Sequence, residues 1–171
     1  MPDSISESLP FAGISDCNLI ELGLAATITT GCLYTQYDWP YEDLQPFNVI
    51  KKITGNTVHL DEEKYMRVSE RESTRYKFRK GDIIFKQSTS RDQLGKSILF
   101  DLDINVLHTK YLRIRANEGF DGKFLHYILN SLRYDGRLHR IATESRNISS
   151  IRIDELKKLR IPLVTFESQP S

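Results

Sequence analysis

At 171 residues the chain is long enough for one domain with a real core and too short for two comfortable ones. Its hydrophobic share of 39% and charged share of 27% are those of a globular protein, and no apolar run nears the ~20 residues that would span a bilayer. The net charge of +1 hides a split: residues 1–74 carry 5 Lys and Arg against 12 Asp and Glu, a net of −7, whereas residues 75–171 carry 19 against 11, a net of +8. A basic second half of this kind suits a polyanion-binding face.

The opening "MPDSISESLPFAG" holds acids but no basic region, so it reads as a flexible leader over 1–17 and not as a secretory signal; the chain reads as cytoplasmic. Cys17 and Cys32 lack the spacing of a zinc site or a redox pair and read as reduced, partly buried thiols. Over 18–32, "NLIELGLAATITTGC" predicts a short helix or strand entering a β segment that stops at Gly31. "LYTQYDWPYEDLQPF" is aromatic and broken by proline, an ordered loop. "FNVIKKITGNTVHL" sets β-branched runs on either side of Thr54-Gly55-Asn56 and predicts a hairpin. The charged stretch 61–74 fits a short helix or a solvated connection.

"RYKFRKGDIIF" alternates to Lys80, turns at Gly81-Asp82 and enters a strand, and "KSILFDL" and "TKYLRIRA" continue the sheet. Between Phe85 and Ile98 lie a dozen mostly polar residues where a tight hairpin needs only two to five. From Asp121 to Asp135, Phe124, Leu125, Ile128, Leu129 and Leu132 fall on one helical face, with Asp121 as N-cap and Gly136 as stop. "RLHRIAT" predicts a second short helix, "ESRNISS" a polar turn, and "IRIDELKKLRIPLV" a helical turn capped by Asp154 before a short strand at Pro162. Residues 165–171, with Phe166 their one aromatic, are expected to be a flexible tail after a domain over 18–164. The pattern is α+β, with helical content concentrated after residue 120.

Catalytic constellations are hard to find. The chain has neither a P-loop nor a GxGxxG. Glu62-Glu63-Lys64, with Asp38 or Asp43 upstream, imitates part of a nuclease metal site, although such triplets arise by chance in charged stretches. "RYDGR" imitates a nucleotidyl-transfer motif but puts Arg133 where a nucleophilic lysine is needed, and a permanently protonated guanidinium cannot serve. His59, His108, His126 and His139 lack ligand spacing, the last two reading as helix-surface residues, and Asp101 and Asp103 read as an exposed strand-end pair. The expectation is a binding domain that is not an enzyme and takes neither cofactor nor metal.

Five segments in order carry a resemblance: "FNVIKKITGNTVHLDEEKYM", "FRKGDIIF", the loop to "LGKSILF", "HTKYLRIRANEGFDGKFLHYILNSL" and "ESRNISSIRIDELKKLRIPLV". Together they resemble a target recognition domain of the type I restriction–modification specificity subunit, over roughly residues 19–164. The resemblance implies a curved, mostly antiparallel sheet with helices packed on one side. It also implies sequence-specific recognition of one half of a split double-stranded DNA target on behalf of a methyltransferase (modification) subunit and a restriction subunit. Adenine methylation and ATP-driven cleavage would then lie in those partners. No heptad pattern follows Pro162, so the long helices by which this family spaces its domains are not read here.

DNA reading needs cations for phosphates and paired donors and acceptors for base edges. The loop offers Lys86, Arg91 and Lys96 for phosphate or guanine, Gln87 for adenine, and Ser88, Thr89 and Ser90 for either. The later segment repeats this chemistry with Arg140, Thr143, Ser145, Arg146, Asn147, Ser149 and Arg152. The expected DNA-binding set is these fourteen residues. Two rivals follow from the same sequence: a protein-interaction module that binds modification subunits through the acidic first half, and a nuclease using Glu62, Glu63 and Lys64.

Overall fold

The structure, a computed structural model, describes residues 18–107 and 111–163; the expected leader and tail, Cys17, His108 and Phe166 lie outside them. The acidic half supplies β1 (Leu19–Glu21), α1 (Leu22–Ala25), β2 (Ala26–Thr29), β3 (Gln45–Thr54), β4 (Thr57–Leu60), β5 (Lys64–Met66) and α2 (Glu70–Tyr76). The basic half supplies β6 (Ile83–Phe85), β7 (Ser88–Thr89), β8 (Ser97–Leu99), β9 (Val106–Leu107), β10 (Leu112–Ala116), α3 (Gly122–Tyr134), α4 (Arg137–Arg140), β11 (Ala142–Ser145), β12 (Ile148–Ile151), α5 (Ile153–Lys158) and β13 (Arg160–Pro162). The fold is α+β, as read from the pattern. Its strands are divided among small antiparallel sheets, with one parallel pair, β3 with β9.

At the centre is the antiparallel sheet β2-β10-β6-β8. The unbroken run Ile83-Ile84-Phe85 is what a strand covered on both faces requires. Ile83 and Phe85 join Leu112, Ile114 and Ile28 beneath Leu22, Leu125, Leu129, Leu138 and Leu156, which come from α1, α3, α4 and α5. Ile84 points the other way, into a second cluster with Ile50, Phe78, Phe100 and Val106. That cluster also receives Ile53, Val58 and Leu60 of the β3–β4 hairpin, whose Gly55 turns at φ +59°, and a third cluster, Phe47, Val49, Met66, Val68 and Leu107, joins β3 to β5 and β9.

Local signals account for most element ends. Asp121 caps α3 by accepting from the Phe124 amide at 2.9 Å, and the left-handed Gly136 separates α3 from α4. Ser69 and Glu72 close a capping box on α2: the Ser69 Oγ accepts from the Glu72 amide at 3.3 Å, and Glu72 accepts from the Ser69 amide at 2.9 Å. Replacing Ser69 with alanine is expected to cost about 1 kcal/mol, read as a lowered melting temperature. Asp154 does not cap α5; Arg152 occupies that position with no side-chain cap, and Asp154 and Glu155 sit in the first turn, where they complement the helix dipole. Cys32 is a free, half-buried thiol.

Candidate nucleic-acid interface

The long polar loop is a folded object. Phe85 pairs with Ser97, and the next rung is closed by the Lys86 amide donating to the Lys96 carbonyl and the Gly95 amide donating to the Lys86 carbonyl, both at 2.9 Å. Beyond it the chain turns tightly at Ser90, whose carbonyl accepts from the Gln93 and Leu94 amides. Leu94, the one large apolar residue of the loop, is fully buried in the main core beside Leu138. Gly95 has φ +71°, and a Cβ there would stand 2.5 Å from Leu138 Cδ1, so this position requires glycine.

Helices α3 and α4 hold the loop from behind. Arg133 donates from Nε to the Leu94 carbonyl at 3.0 Å and from Nη2 to the Asp92 carbonyl at 2.6 Å, and His139 donates to the Arg91 carbonyl at 3.0 Å. His126 donates to the Ser97 carbonyl at 3.1 Å. These two histidines therefore fasten the loop to the helices, where the sequence suggested plain helix-surface residues.

The front of the loop becomes a strand. β7 pairs antiparallel with β12, Ser88 opposite Ser150 and Thr89 opposite Ser149, and β12 pairs with β11. Two segments some sixty residues apart thus form one three-stranded sheet, β11-β12-β7. Cross-strand partners share a face. The inner face carries Ile151 and Ser149, exposed by 0% and 2%, and Ala142. The outer face carries Ser88, Ser150, Thr143, Ser145 and Ile148. Ser88 and Ser150 hydroxyls bond at 2.6 Å, and the Thr143 hydroxyl donates to the Ser150 carbonyl at 3.3 Å.

The β11–β12 connection is a two-residue turn with Arg146 at φ +47° and Asn147 at φ +68°. Both central residues being left-handed is the type I′ arrangement that suits strand twist; asparagine tolerates it, and arginine is the unusual occupant. A shallow cleft of about 360 Å³ opens beside the turn, between Arg91 and the 144–149 hairpin. Arg91 reaches Glu144 across it, Nη1 to Oε1 2.5 Å. Hydrogen bonds from Ser90 and Gln93 hold the Asp92 carboxyl below the usual carboxylate range.

The fourteen expected residues divide by what surrounds them. Ser88, Ser90, Arg91, Arg140, Thr143, Ser145, Arg146, Asn147 and Arg152 are exposed, and Thr89 and Lys96 are half-buried. Of the exposed set, Arg91 pairs with Glu144, and Ser88 and Thr143 bond to Ser150; the remaining three are committed behind the surface. The Gln87 amide nitrogen donates to the Ile151 carbonyl at 2.9 Å and pins β7 to β12, so it is not free for an adenine edge. Ser149 is buried, and Lys86 Nζ donates to Gln93 Oε1 at 3.3 Å. Sequence reading missed Ile148, 51% exposed beside the turn; strict alternation back from the buried Ile151 would have pointed it outward.

Of the nuclease reading, the structure brings together Lys64 and the upstream Asp38 but forms no metal site with them among the described residues. Lys64 Nζ is held by Asp38 Oδ1 at 2.6 Å, Glu63 accepts from the Tyr65 hydroxyl at 3.3 Å, and among the described residues no three His, Cys, Asp or Glu side chains converge as a metal site. No helix among the described residues is long and apolar enough to cross a membrane.

No protein-family model matches the chain. Over 128 residues it is 27% identical to a curated protein of Methanocaldococcus jannaschii described as a type I restriction enzyme MjaX specificity subunit, covering 72% of this chain and 30% of that one. Among solved structures, the type I restriction–modification S subunit from M. genitalium superposes with a TM-score of 0.53 at 19% identity, over 87% of this chain and 35% of that chain. The HsdS subunit of Thermoanaerobacter tengcongensis gives 0.55 at 17%, over 96% and 36%, and a chain from a structural study of type I complex assembly gives 0.57 at 16%, over 96% and 37%. The chain therefore spans about a third of the length of the proteins it matches. The chain is thus similar in sequence to a type I restriction enzyme specificity subunit and shares its fold with S subunits of such systems over about a third of their length.

Proposed function

We propose that this chain reads one part of a double-stranded DNA target, with the β11–β12 hairpin laid into the major groove and the loop between β6 and β8 beside it. The observation that carries the reading is the β7–β12 pairing, which merges two Ser-, Thr- and Arg-rich segments into one sheet with a hydroxyl-lined outer face. A two-stranded ribbon fits a groove about 12 Å wide, and each side chain of that face has a base-edge or backbone counterpart. Asn147 pairs with an adenine edge, the Ile148 side chain meets a thymine methyl, and Ser88, Thr143 and Ser145 donate to or accept from either. Arg146, Arg140, Arg152 and Lys96 neutralise phosphates, with Arg146 also able to take a guanine.

Adenine methylation and cleavage belong, on this reading, to a methyltransferase subunit and a restriction subunit that the domain directs to its site. The chain itself holds the DNA and performs no chemistry, and it works in the cytoplasm, where target and partners are. Fluorescence anisotropy on a randomised duplex pool, followed by selected sequences, tests it. Arg146→Ala and Lys96→Ala should each lower the log–log salt slope by about one. Asn147→Ala should cost about 1–3 kcal/mol on the selected sequence and little on random DNA. If all three bind like the wild type, the hairpin is not the reading surface and the interaction-module reading replaces this one.

A further inference from the structure

On the opposite side of the central sheet from its main core, the alternation of "LRIRA" in β10 sends Leu112 and Ile114 inward and Arg113 and Arg115 to the other face. The register with β2 sets Thr29 opposite Arg113 and Thr27 opposite Arg115; the Thr29 hydroxyl accepts from Arg113 Nη2 at 3.5 Å, and the Thr27 hydroxyl donates to Asn117 Oδ1 at 2.7 Å. The two threonines and two arginines, with Arg75 at the end of α2 and Lys157 on α5, line a cleft of about 450 Å³ that has no Asp or Glu in its wall. Asp82 is the carboxylate that answers this charge, and it takes both arms of the Arg115 fork, Nε to Oδ1 at 2.6 Å and Nη2 to Oδ2 at 2.7 Å, together with the Arg79 amide at 2.8 Å.

Arg113 is the unusual member. It is 4% exposed and closes the end of α2, donating from Nη1 to the Arg75 and Lys77 carbonyls at 2.7 and 3.0 Å. Its Nε has no partner among the described residues. An orphaned donor on a buried cation is costly, and the cost falls if an anion enters. Burial, and then the neighbouring Arg115, push the Arg113 guanidinium down to about 10, against the pull of Asp82.

We propose that this cleft is a phosphate-binding site, in which Arg75, Arg113 and Lys157 supply charge and the Thr29 hydroxyl supplies a neutral donor. The phosphate is that of a DNA backbone or of a free phosphate-bearing solute, and the DNA source rests on the reading role proposed above. Distance permits that source. Ile153 lines the cleft and Asn147 tips the hairpin, and six residues of strand reach at most about 20 Å, or about six steps along a duplex.

Amide NMR of the full chain, titrated with inorganic phosphate against chloride at equal ionic strength, tests the site without DNA. Saturable shifts confined to residues 27–29, 75, 113 and 157 are expected, and Arg75→Gln or Lys157→Gln, both at exposed positions, should weaken them about threefold or more. Shifts that chloride reproduces, or none, overturn the proposal. A duplex that displaces the bound phosphate, with a salt slope lowered by about one in Lys157→Gln, makes the backbone the source. A duplex that leaves the phosphate in place makes the source a free solute. A chain that takes phosphate but no duplex at all refutes the reading role and leaves this site standing.

Discussion

Replacing Asp82 with alanine should lower the unfolding free energy by about 3–5 kcal/mol. The carboxylate is 2% exposed, and it accepts both arms of the Arg115 fork and the Arg79 amide at 2.8 Å. Its backbone carbonyl also accepts from the Phe100 amide at 2.7 Å, so the Gly81-Asp82 turn locks β6 to the segment beyond β8. Removing the carboxylate leaves a guanidinium that is itself only 25% exposed, next to Arg113, with the Lys77 carbonyl at 3.2 Å and no second acid in the surrounding pocket wall among the described residues. In a chain of this length the melting temperature should fall by roughly 10 °C. Asp82→Asn keeps an acceptor for the Arg79 amide and should lose less. A loss in urea unfolding below about 1 kcal/mol for the alanine variant would mean that the pair is worth no more than a surface ion pair.

Leu94→Ala should cost about 2–5 kcal/mol, far more than a loop position ordinarily does, since the side chain is fully buried against the α3–α4 corner. The variant should also bind every duplex more weakly by a similar factor, because the loop carries Arg91 and Lys96 and its departure moves them together. Leu94→Met preserves volume and should cost less than about 1.5 kcal/mol. Urea unfolding and anisotropy on the same preparations separate the two effects. An alanine variant as stable as the wild type would show that the loop is not anchored at this point.

These two residues mark where sequence reading stops. Helix α3 was legible because Leu125, Ile128, Leu129 and Leu132 repeat at helical spacing behind a capping aspartate, and the β3–β4 hairpin because β-branched runs flank a glycine turn. The capping box of α2 was equally legible in Ser69 and Glu72, a signal that settles the helix over its alternative. Nothing local announces β7, two polar residues whose partner strand comes some sixty positions later. That pairing decides which of Gln87, Ser88, Ser149 and Ser150 face outward, so the membership of the site could be read by residue type but not by orientation. Leu94 was a signal of another kind: one leucine in a dozen mostly polar residues is what an anchored loop requires. The Asp82–Arg115 pair likewise joins a turn to a strand thirty-three positions away, beyond any short-range pattern.

The outer face of the β11-β12-β7 sheet is held in place chiefly by backbone pairing and by Ile151, Ser149 and Gln87 behind it, with the Ser88–Ser150 and Thr143–Ser150 bonds added on the face itself. Substitutions at Ser145 and Ile148 should therefore change stability by no more than about 0.5 kcal/mol each, and those at Ser88 and Thr143 by about 1 kcal/mol at most. If this face reads DNA as proposed, recognition is separated from folding. Its alphabet could then be rewritten by point mutation without passing through an unfolded ancestor, and new recognition sequences would be within short evolutionary reach of the present one.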